Sequence, residues 1–269
     1  MLNLISSLLE GEGIDLFGVL PISDCKILKP YLLERSGISS GTAIVIAAPY
    51  LVDDAVEPNI SRYAIPRDYH LFYKELFDRL IPVLKKEYPE NKFAGFADHS
   101  PIDEIHAAAK CSLGVIGKHG LLITEKYSSF VFIATIFTDA VLGCTVGEIH
   151  KCESCGICQR DCPVDLSKSE CLSAITQKKG ELTSTDVCLM KKHNTAWGCD
   201  ICQMSCPHTK AAMKDGSIYT SIPFFANDRT PVLTYETIAK MSDDQFSERS
   251  YSWRGRSVIL RNLRATENE

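Results

Sequence analysis

Cys152, Cys155, Cys158 and Cys162, the last followed by Pro163, are spaced C-x2-C-x2-C-x3-C-P. Three thiolates at that pitch wrap one face of an iron–sulfur cubane, because the backbone must turn back within two residues. The fourth points away and, in two-cluster ferredoxins, serves the other cluster. A second, incomplete group follows at Cys199, Cys202 and Cys206–Pro207. By the same geometry Cys206 closes the first cluster, which leaves Cys162, Cys199 and Cys202 one thiolate short. Cys171 and Cys188 are the candidates. Structural zinc also uses C-x2-C pairs, but zinc takes four ligands in two pairs and leaves the triple run unexplained. The spacing therefore predicts two [4Fe–4S] clusters on eight of the twelve cysteines, and hence a redox protein. Cys25, Cys111 and Cys144 lie in apolar sequence and read as ordinary buried thiols.

These ligands need a scaffold, and 269 residues at 45% hydrophobic content suffice for one domain or two modest ones. Residues 1–142 read as an α/β domain. Ala43–Tyr50 and Ser129–Thr138 are short apolar runs rich in β-branched and aromatic residues, as buried strands are; Phe93–Asp98 and Leu121–Thr124 look like two more. Asp68–Tyr88 places Leu71, Phe72, Leu76, Leu80 and Leu84 at helical spacing, with Pro82 expected to kink the helix. A further helix is expected to start at Ser100, as N-cap, with Pro101 in the first turn, and to stop near Gly114. Residues 143–210 read as a small ferredoxin-like double-cluster domain. Residues 211–269 read as a tail that packs back on the N-terminal domain and carries one helix, Tyr235–Met241. The expected class is α+β.

Composition excludes several function classes. No apolar run has the length of a membrane-spanning helix. The apolar N-terminus carries Glu10, Glu12 and Asp15 and lacks a basic region and a cleavage site, so no signal peptide is expected. Eight cysteines crowded between 152 and 206 favour metal binding in a reducing compartment, the cytoplasm, over a disulfide framework. A net charge of −5 does not recruit nucleic acid in bulk. Locally, Arg249, Arg254, Arg256, Arg261 and Arg264 fall in an acid-free stretch with Tyr251 and Trp253; it reads as a solvated face, with RNA contact as the second reading.

Taken in order, further motifs make the chain resemble the epoxyqueuosine reductases, cobalamin-dependent iron–sulfur enzymes of tRNA modification. They are Arg62-Tyr63-Ala64 with Arg67-Asp68-Tyr69-His70, Phe96-Ala97-Asp98 leading to Pro101 and Glu104, and Gly114-Val115-Ile116-Gly117-Lys118-His119. Ile136-Phe137-Thr138-Asp139, Cys171-Leu172-Ser173, Gly198-Cys199-Asp200-Ile201-Cys202-Gln203, Arg254-Gly255-Arg256 and Leu260-Arg261-Asn262 follow. The resemblance covers roughly positions 40–264. It implies Cys152, Cys155, Cys158 and Cys206 for one cluster, and Cys162, Cys171, Cys199 and Cys202 for the other, with Cys188 outside both sets. It also implies a base-off cobalamin held by the N-terminal domain against a cluster, with Arg62, Asp98, Lys118 and His119 as cofactor contacts. The histidine-ligand signature D-x-H-x-x-G is only half present, since Tyr73 stands where Gly is required; no lower axial histidine is expected, and His70 reads as a structural histidine.

Asp98 alone would read as a loop acid. The resemblance implies that it is the proton donor, with a pKa raised by desolvation beside the corrin. Epoxide deoxygenation takes two electrons and two protons; clusters pass electrons singly to the corrinoid, which attacks as a strong nucleophile while an acid protonates the departing oxygen. The implied reaction is reduction of epoxyqueuosine in tRNA to queuosine, fed by an external donor such as flavodoxin or ferredoxin, with no membrane involved. The chain reads as a short member without the family's C-terminal helical-repeat region. Two rivals follow: a cobalamin-dependent reductase of a small molecule, akin to reductive dehalogenases, and a non-catalytic electron-transfer or corrinoid-activating protein.

Overall fold

Thr42–Pro49 is buried at all eight positions, as befits a strand covered on both faces, whose sequence is a continuous apolar run rather than an alternation. It is β2 of a four-stranded sheet with β1 (Phe17–Pro21), β3 (Phe93–Ala97) and β6 (Val131–Thr138). The strand order is β1-β2-β6-β3 and every pairing is antiparallel. A two-stranded hairpin pairs β4 (Val115–Ile116) with β5 (Leu122–Ile123). The computed structural model describes residues 1–144, 146–164, 166 and 171–267.

The helices are α1 (Leu2–Gly11), α2 (Pro30–Ser36), α3 (Tyr69–Glu87), α4 (Glu104–Lys110), α5 (Ile157–Arg160), α6 (Leu172–Thr176) and α7 (Ser184–Lys192). Then come α8 (Ile201–Met204), α9 (Pro207–Asp215), α10 (Pro223–Ala226), α11 (Tyr235–Lys240), α12 (Asp243–Ser247) and α13 (Arg256–Thr266). Among the described residues, no helix is long and apolar enough to cross a membrane.

The architecture is mixed helix and sheet, in two units that interleave along the chain. One comprises residues 1–50, 69–154 and 212–222; the other comprises 51–68, 155–211 and 223–269. The expected division into 1–142, 143–210 and 211–269 does not coincide with these units. Residues 223–269 belong with the cysteine-bearing segment, not with the sheet, and carry four helices rather than one. In the first unit, Ala107, Ala108 and Ala109 of α4 pack into a core with Ala43, Val45 and Ala47 of β2; the small side chains let helix and strand approach closely. In the second, Trp197 and Tyr251 are fully buried among Ile60, Leu233, Ile238 and Ile259.

One local expectation is corrected. The helix after β3 begins at Glu104 with Asp103 as its cap, accepting from His106 N–H at 3.1 Å. Ser100 is buried instead and meets Thr135 Oγ1 at 3.3 Å. Pro101 lends its carbonyl to Leu28 and Lys29, so this stretch is spent on a backbone contact and cannot start a helix. Pro82 lies inside α3, which runs on to Glu87.

Candidate functional site

Seven of the eight expected cluster ligands lie in the second unit, and Cys152 lies in the first. Ser154 and Gly156 both take positive φ, +55° and +78°, so the chain turns twice around the exposed Cys155 before α5 buries Cys158. The second group is built on a tighter turn. Gly198 has φ +72°, and a Cβ there would stand 2.4 Å from the Ser61 Cβ. After it, Asp200 is buried between Cys199 and Cys202, accepting from Ser61 Oγ, from Arg62 N–H at 2.7 Å and from Gln203 Nε2 at 3.2 Å. Burial pushes the Asp200 carboxyl up against these donors.

Cys162 and Cys171 lie within electrostatic reach of Cys199 and Cys202. Burial, aided by Cys171 and Cys162, pushes the Cys199 and Cys202 thiols up to about 12. Four such thiols repel one another as thiolates, and a cationic iron core relieves that repulsion; the donor set fits a cluster. Cys188 is exposed on α7 and is not among the thiols acting on Cys199 or Cys202. Among the described residues, no three His, Cys, Asp or Glu side chains close on a single metal ion. The chain between Cys162 and Cys171 falls largely outside the described residues.

Arg62 also lies in this unit. Its guanidinium is 3.6 Å from Asp200 and 3.8 Å from Glu57. With Leu172, His193, Cys199 and Met204 it lines a cavity of about 220 Å³. Tyr63 is likewise structural, its hydroxyl accepting from Trp197 Nε1 at 2.8 Å.

In the first unit, the β4–β5 loop carries Lys118 and His119. Segment 150–152 runs beside β4, with Ile116 N–H to His150 O and Cys152 N–H to Ile116 O. This brings the Lys118 main-chain N–H to 3.2 Å from Cys152 Sγ, the kind of amide–sulfur contact that tunes a cluster thiolate. The Lys118 side chain is exposed. His119 folds back over Gly117, where a Cβ would stand 2.6 Å from the imidazole Cε1. Its Nδ1 accepts from Leu121 N–H at 3.2 Å, while Nε2 is buried without a partner. Desolvation lowers the His119 pKa, which favours the neutral ring. An orphaned ring nitrogen next in sequence to an exposed lysine is a fit for a polar group of a corrinoid.

Asp98 ends β3 at φ +60°, and His99 N–H donates back to Ala97 O at 2.6 Å, closing a three-residue turn. A non-glycine residue held there costs on the order of 1–3 kcal/mol, and such strain concentrates at functional sites. The carboxylate is exposed and 3.7 Å from His70 Nε2. The neighbouring His70 holds its pKa below the ordinary carboxylate range, against partial burial. That is opposite to the rise expected: the side chain is half-solvated and paired, not desolvated. His70, expected to be structural, is the partner of Asp98. Sequence reasoning assigned no role to Glu104, the first residue of α4, whose Oε1 is buried without a partner. Burial, reinforced by the Asp98 charge, raises its pKa to about 8.

The arginine stretch is mostly consumed by the fold. Arg249 is buried and pairs with Asp228 at 2.6 Å; Arg256 donates to Ile238 O at 2.6 Å and to Asp243 at 2.8 Å. Arg261 donates to Gly180 O and Arg264 to the Tyr235 hydroxyl. Tyr251 is in the core. Trp253 is exposed, with the Arg254 guanidinium 3.8 Å from its ring.

A family model described as epoxyqueuosine reductase QueG, DUF1730, matches residues 37–99, the segment from β2 to the Asp98 turn. The epoxyqueuosine reductase of Gloeobacter violaceus is 29% identical over 216 residues, 76% of this chain and 65% of that protein. That of Bacillus subtilis is 28% identical over 260 residues, 90% of this chain and again 65% of its own length. The chain thus spans just under two thirds of the length of these relatives. Among solved structures, epoxyqueuosine reductase with an epoxyqueuosine-modified tRNA-Tyr stem loop superposes with a TM-score of 0.78 at 23% identity, covering 98% of this chain and 80% of that one. Over most of its length, then, the chain is similar to the epoxyqueuosine reductases.

Proposed function

We propose that this chain is an iron–sulfur and cobalamin-dependent reductase that converts epoxyqueuosine in tRNA to queuosine in the cytoplasm. The observation that carries the reading is the set Cys162, Cys171, Cys199 and Cys202, gathered in one unit of a chain whose relatives are epoxyqueuosine reductases. Those four would hold one [4Fe–4S] cluster, and Cys152, Cys155, Cys158 and Cys206 the other. Lys118 and His119 would hold the base-off corrinoid. Arg62 braces the Cys199–Cys202 turn through Asp200. When bound, these groups supply single electrons and a two-electron nucleophile. The chain's own part is proton delivery and positioning: Asp98, on its strained turn, protonates the oxygen that leaves the sugar-like ring. An external flavodoxin or ferredoxin is the proposed electron donor.

The test is a single-turnover reaction of anaerobically purified, pre-reduced protein with an anticodon stem loop carrying epoxyqueuosine, followed by nucleoside mass spectrometry. Stoichiometric queuosine is expected. A corrinoid-loaded protein that leaves the stem loop unchanged overturns the tRNA substrate; a protein that takes up no corrinoid overturns the enzyme.

A further inference from the structure

The chain just ahead of α2 is stitched to the loop that carries Asp98. Leu28 N–H and Lys29 N–H both donate to Pro101 O, at 2.8 and 3.0 Å, and Asp103 N–H donates to Lys26 O at 3.0 Å. Ile27 and Ile102 pair between them as an antiparallel bridge, and Lys26 Nζ reaches Asp103 at 2.9 Å. From this base two side chains, Lys29 and Tyr31 of the first turn of α2, meet the residue after Asp98. The Lys29 ammonium lies 3.2 Å from His99 Nδ1, and the Tyr31 hydroxyl 3.1 Å from His99 Nε2. Donor chemistry sets the direction of both bonds. An ammonium has protons and no lone pair, so Nδ1 accepts; the ring proton then sits on Nε2, which donates to the Tyr31 oxygen. The other tautomer would set an N–H against the ammonium. His99 is exposed and Tyr31 is 44% exposed, so it is these two bonds, not burial, that hold the imidazole.

We infer that Lys29 and Tyr31 are positioning residues that act through Asp98, clasping the His99 imidazole between them and so holding shut the turn on which Asp98 sits. The inference rests on the reading of Asp98 as the proton donor. His99 follows Asp98 directly in the chain, and its own main-chain N–H closes the turn onto Ala97 O at 2.6 Å. Asp98 holds φ +60°, a conformation that a non-glycine residue keeps only where its surroundings over-determine it. Strand β3 fixes the turn on one side, through Ala97 opposite Ala134; the clasp fixes it on the other. Release of His99 would let Asp98 relax toward an ordinary φ and carry its carboxylate away from its present place, 3.7 Å from His70. Proton delivery tolerates little such movement, because acid and oxygen must come within hydrogen-bond reach. Both bonds are needed. With Lys29 alone the ring can pivot, and with Tyr31 alone either tautomer satisfies the contact, since a phenol both donates and accepts.

Hydrogen exchange at the His99 main-chain amide, read in the holoprotein by mass spectrometry with residue-level fragmentation, follows the turn without turnover. Tyr31→Phe, which removes only the hydroxyl, and Lys29→Met should each speed that exchange severalfold, while the amides of β2 exchange as in wild type. Lys29→Arg, which still donates, should keep it slow. Wild-type exchange in either Tyr31→Phe or Lys29→Met overturns the clasp. Kinetics then separate positioning from a merely structural role. In single turnover, Tyr31→Phe should slow the reaction roughly tenfold to a hundredfold at unchanged half-saturation by the stem loop, the cost expected when a reacting group is misplaced. In an Asp98→Asn background the same change should cost nothing further, because residues that act as one unit do not add. A loss that adds in full to that of Asp98→Asn overturns the action through Asp98. Failure of the wild type to reduce epoxyqueuosine overturns the assigned reaction instead, and the exchange measurement still decides the clasp.

Discussion

Asn262 is fully buried on α13, and its amide donates to Thr176 O at 2.6 Å and to Ala196 O at 2.8 Å. Those carbonyls close the helix after Cys171 and precede the Cys199 turn, so one side chain ties both halves of a ligand set to the last helix. Replacing Asn262 by Ala leaves two buried acceptors unpaired, at about 1–3 kcal/mol each. The expected loss is about 2–5 kcal/mol, a fall in melting temperature on the order of 10 °C. Asn262→Asp is the sharper probe. It keeps the volume, and Arg261 can still donate to its Oδ1, but it turns an oxygen toward each carbonyl where an N–H had been. If the amide protons matter, Asp is at least as damaging as Ala. Thermal unfolding of the anaerobic protein, followed by both far-ultraviolet dichroism and cluster absorbance, measures this. An Asn262→Asp variant that melts like wild type while Asn262→Ala does not would refute the reasoning, because side-chain volume would then carry the effect.

If the proposed ligands make up two complete sets, anaerobic protein should hold about eight irons per chain; Cys171→Ala should lose one cluster and Cys188→Ala none, by iron and sulfide analysis. Gly198→Ala should also lose the Cys199 cluster, because its φ and the 2.4 Å approach to Ser61 leave a methyl group no room; normal iron content there rejects that account. Asp98→Asn should bind clusters and corrinoid normally yet turn over roughly a hundred- to ten-thousand-fold more slowly in the single-turnover assay. The pH dependence of stability should carry the mark of Glu104. Its folded pKa, about 8, lies above the ordinary 4.5, so its contribution is fully present below pH 4.5 and is lost as pH rises through about 8. Denaturant midpoints measured between those limits should fall more for wild type than for Glu104→Gln, and parallel curves would contradict this.

Three of the four sheet strands are legible in sequence because continuous apolar runs are local signals. Phe17–Pro21 is too short and too mixed to announce itself; it becomes a strand only by pairing with β2. Ser100 carries a cap's signature, yet the backbone of residues 101–103 pairs with residues 26–29, and that long-range choice overrides it. The arginines around Trp253 look alike in sequence, and only the positions of Asp228, Ile238 and Asp243 reveal that Arg249 and Arg256 are structural. Asp98 was legible as a motif, but the direction of its pKa depends on His70 at 3.7 Å, a partner 28 positions away that no periodicity marks.

The interleaving of the two units sets an order on synthesis. Ile218 and Ile222, both essentially inaccessible to solvent, belong to the sheet-bearing unit, although more than fifty residues of cysteine-bearing chain separate them from its main body. A ribosome that has released the whole sheet through Thr138 has therefore not yet released all of its packing. Residues 51–68 wait in the opposite sense, since Ile60, Ala64 and Ile65 find Trp197 and Ile259 only when the far end of the chain emerges. Neither unit can be cut out as a continuous fragment, and the cysteines are exposed to the cell as unfinished peptide while both cores are still open.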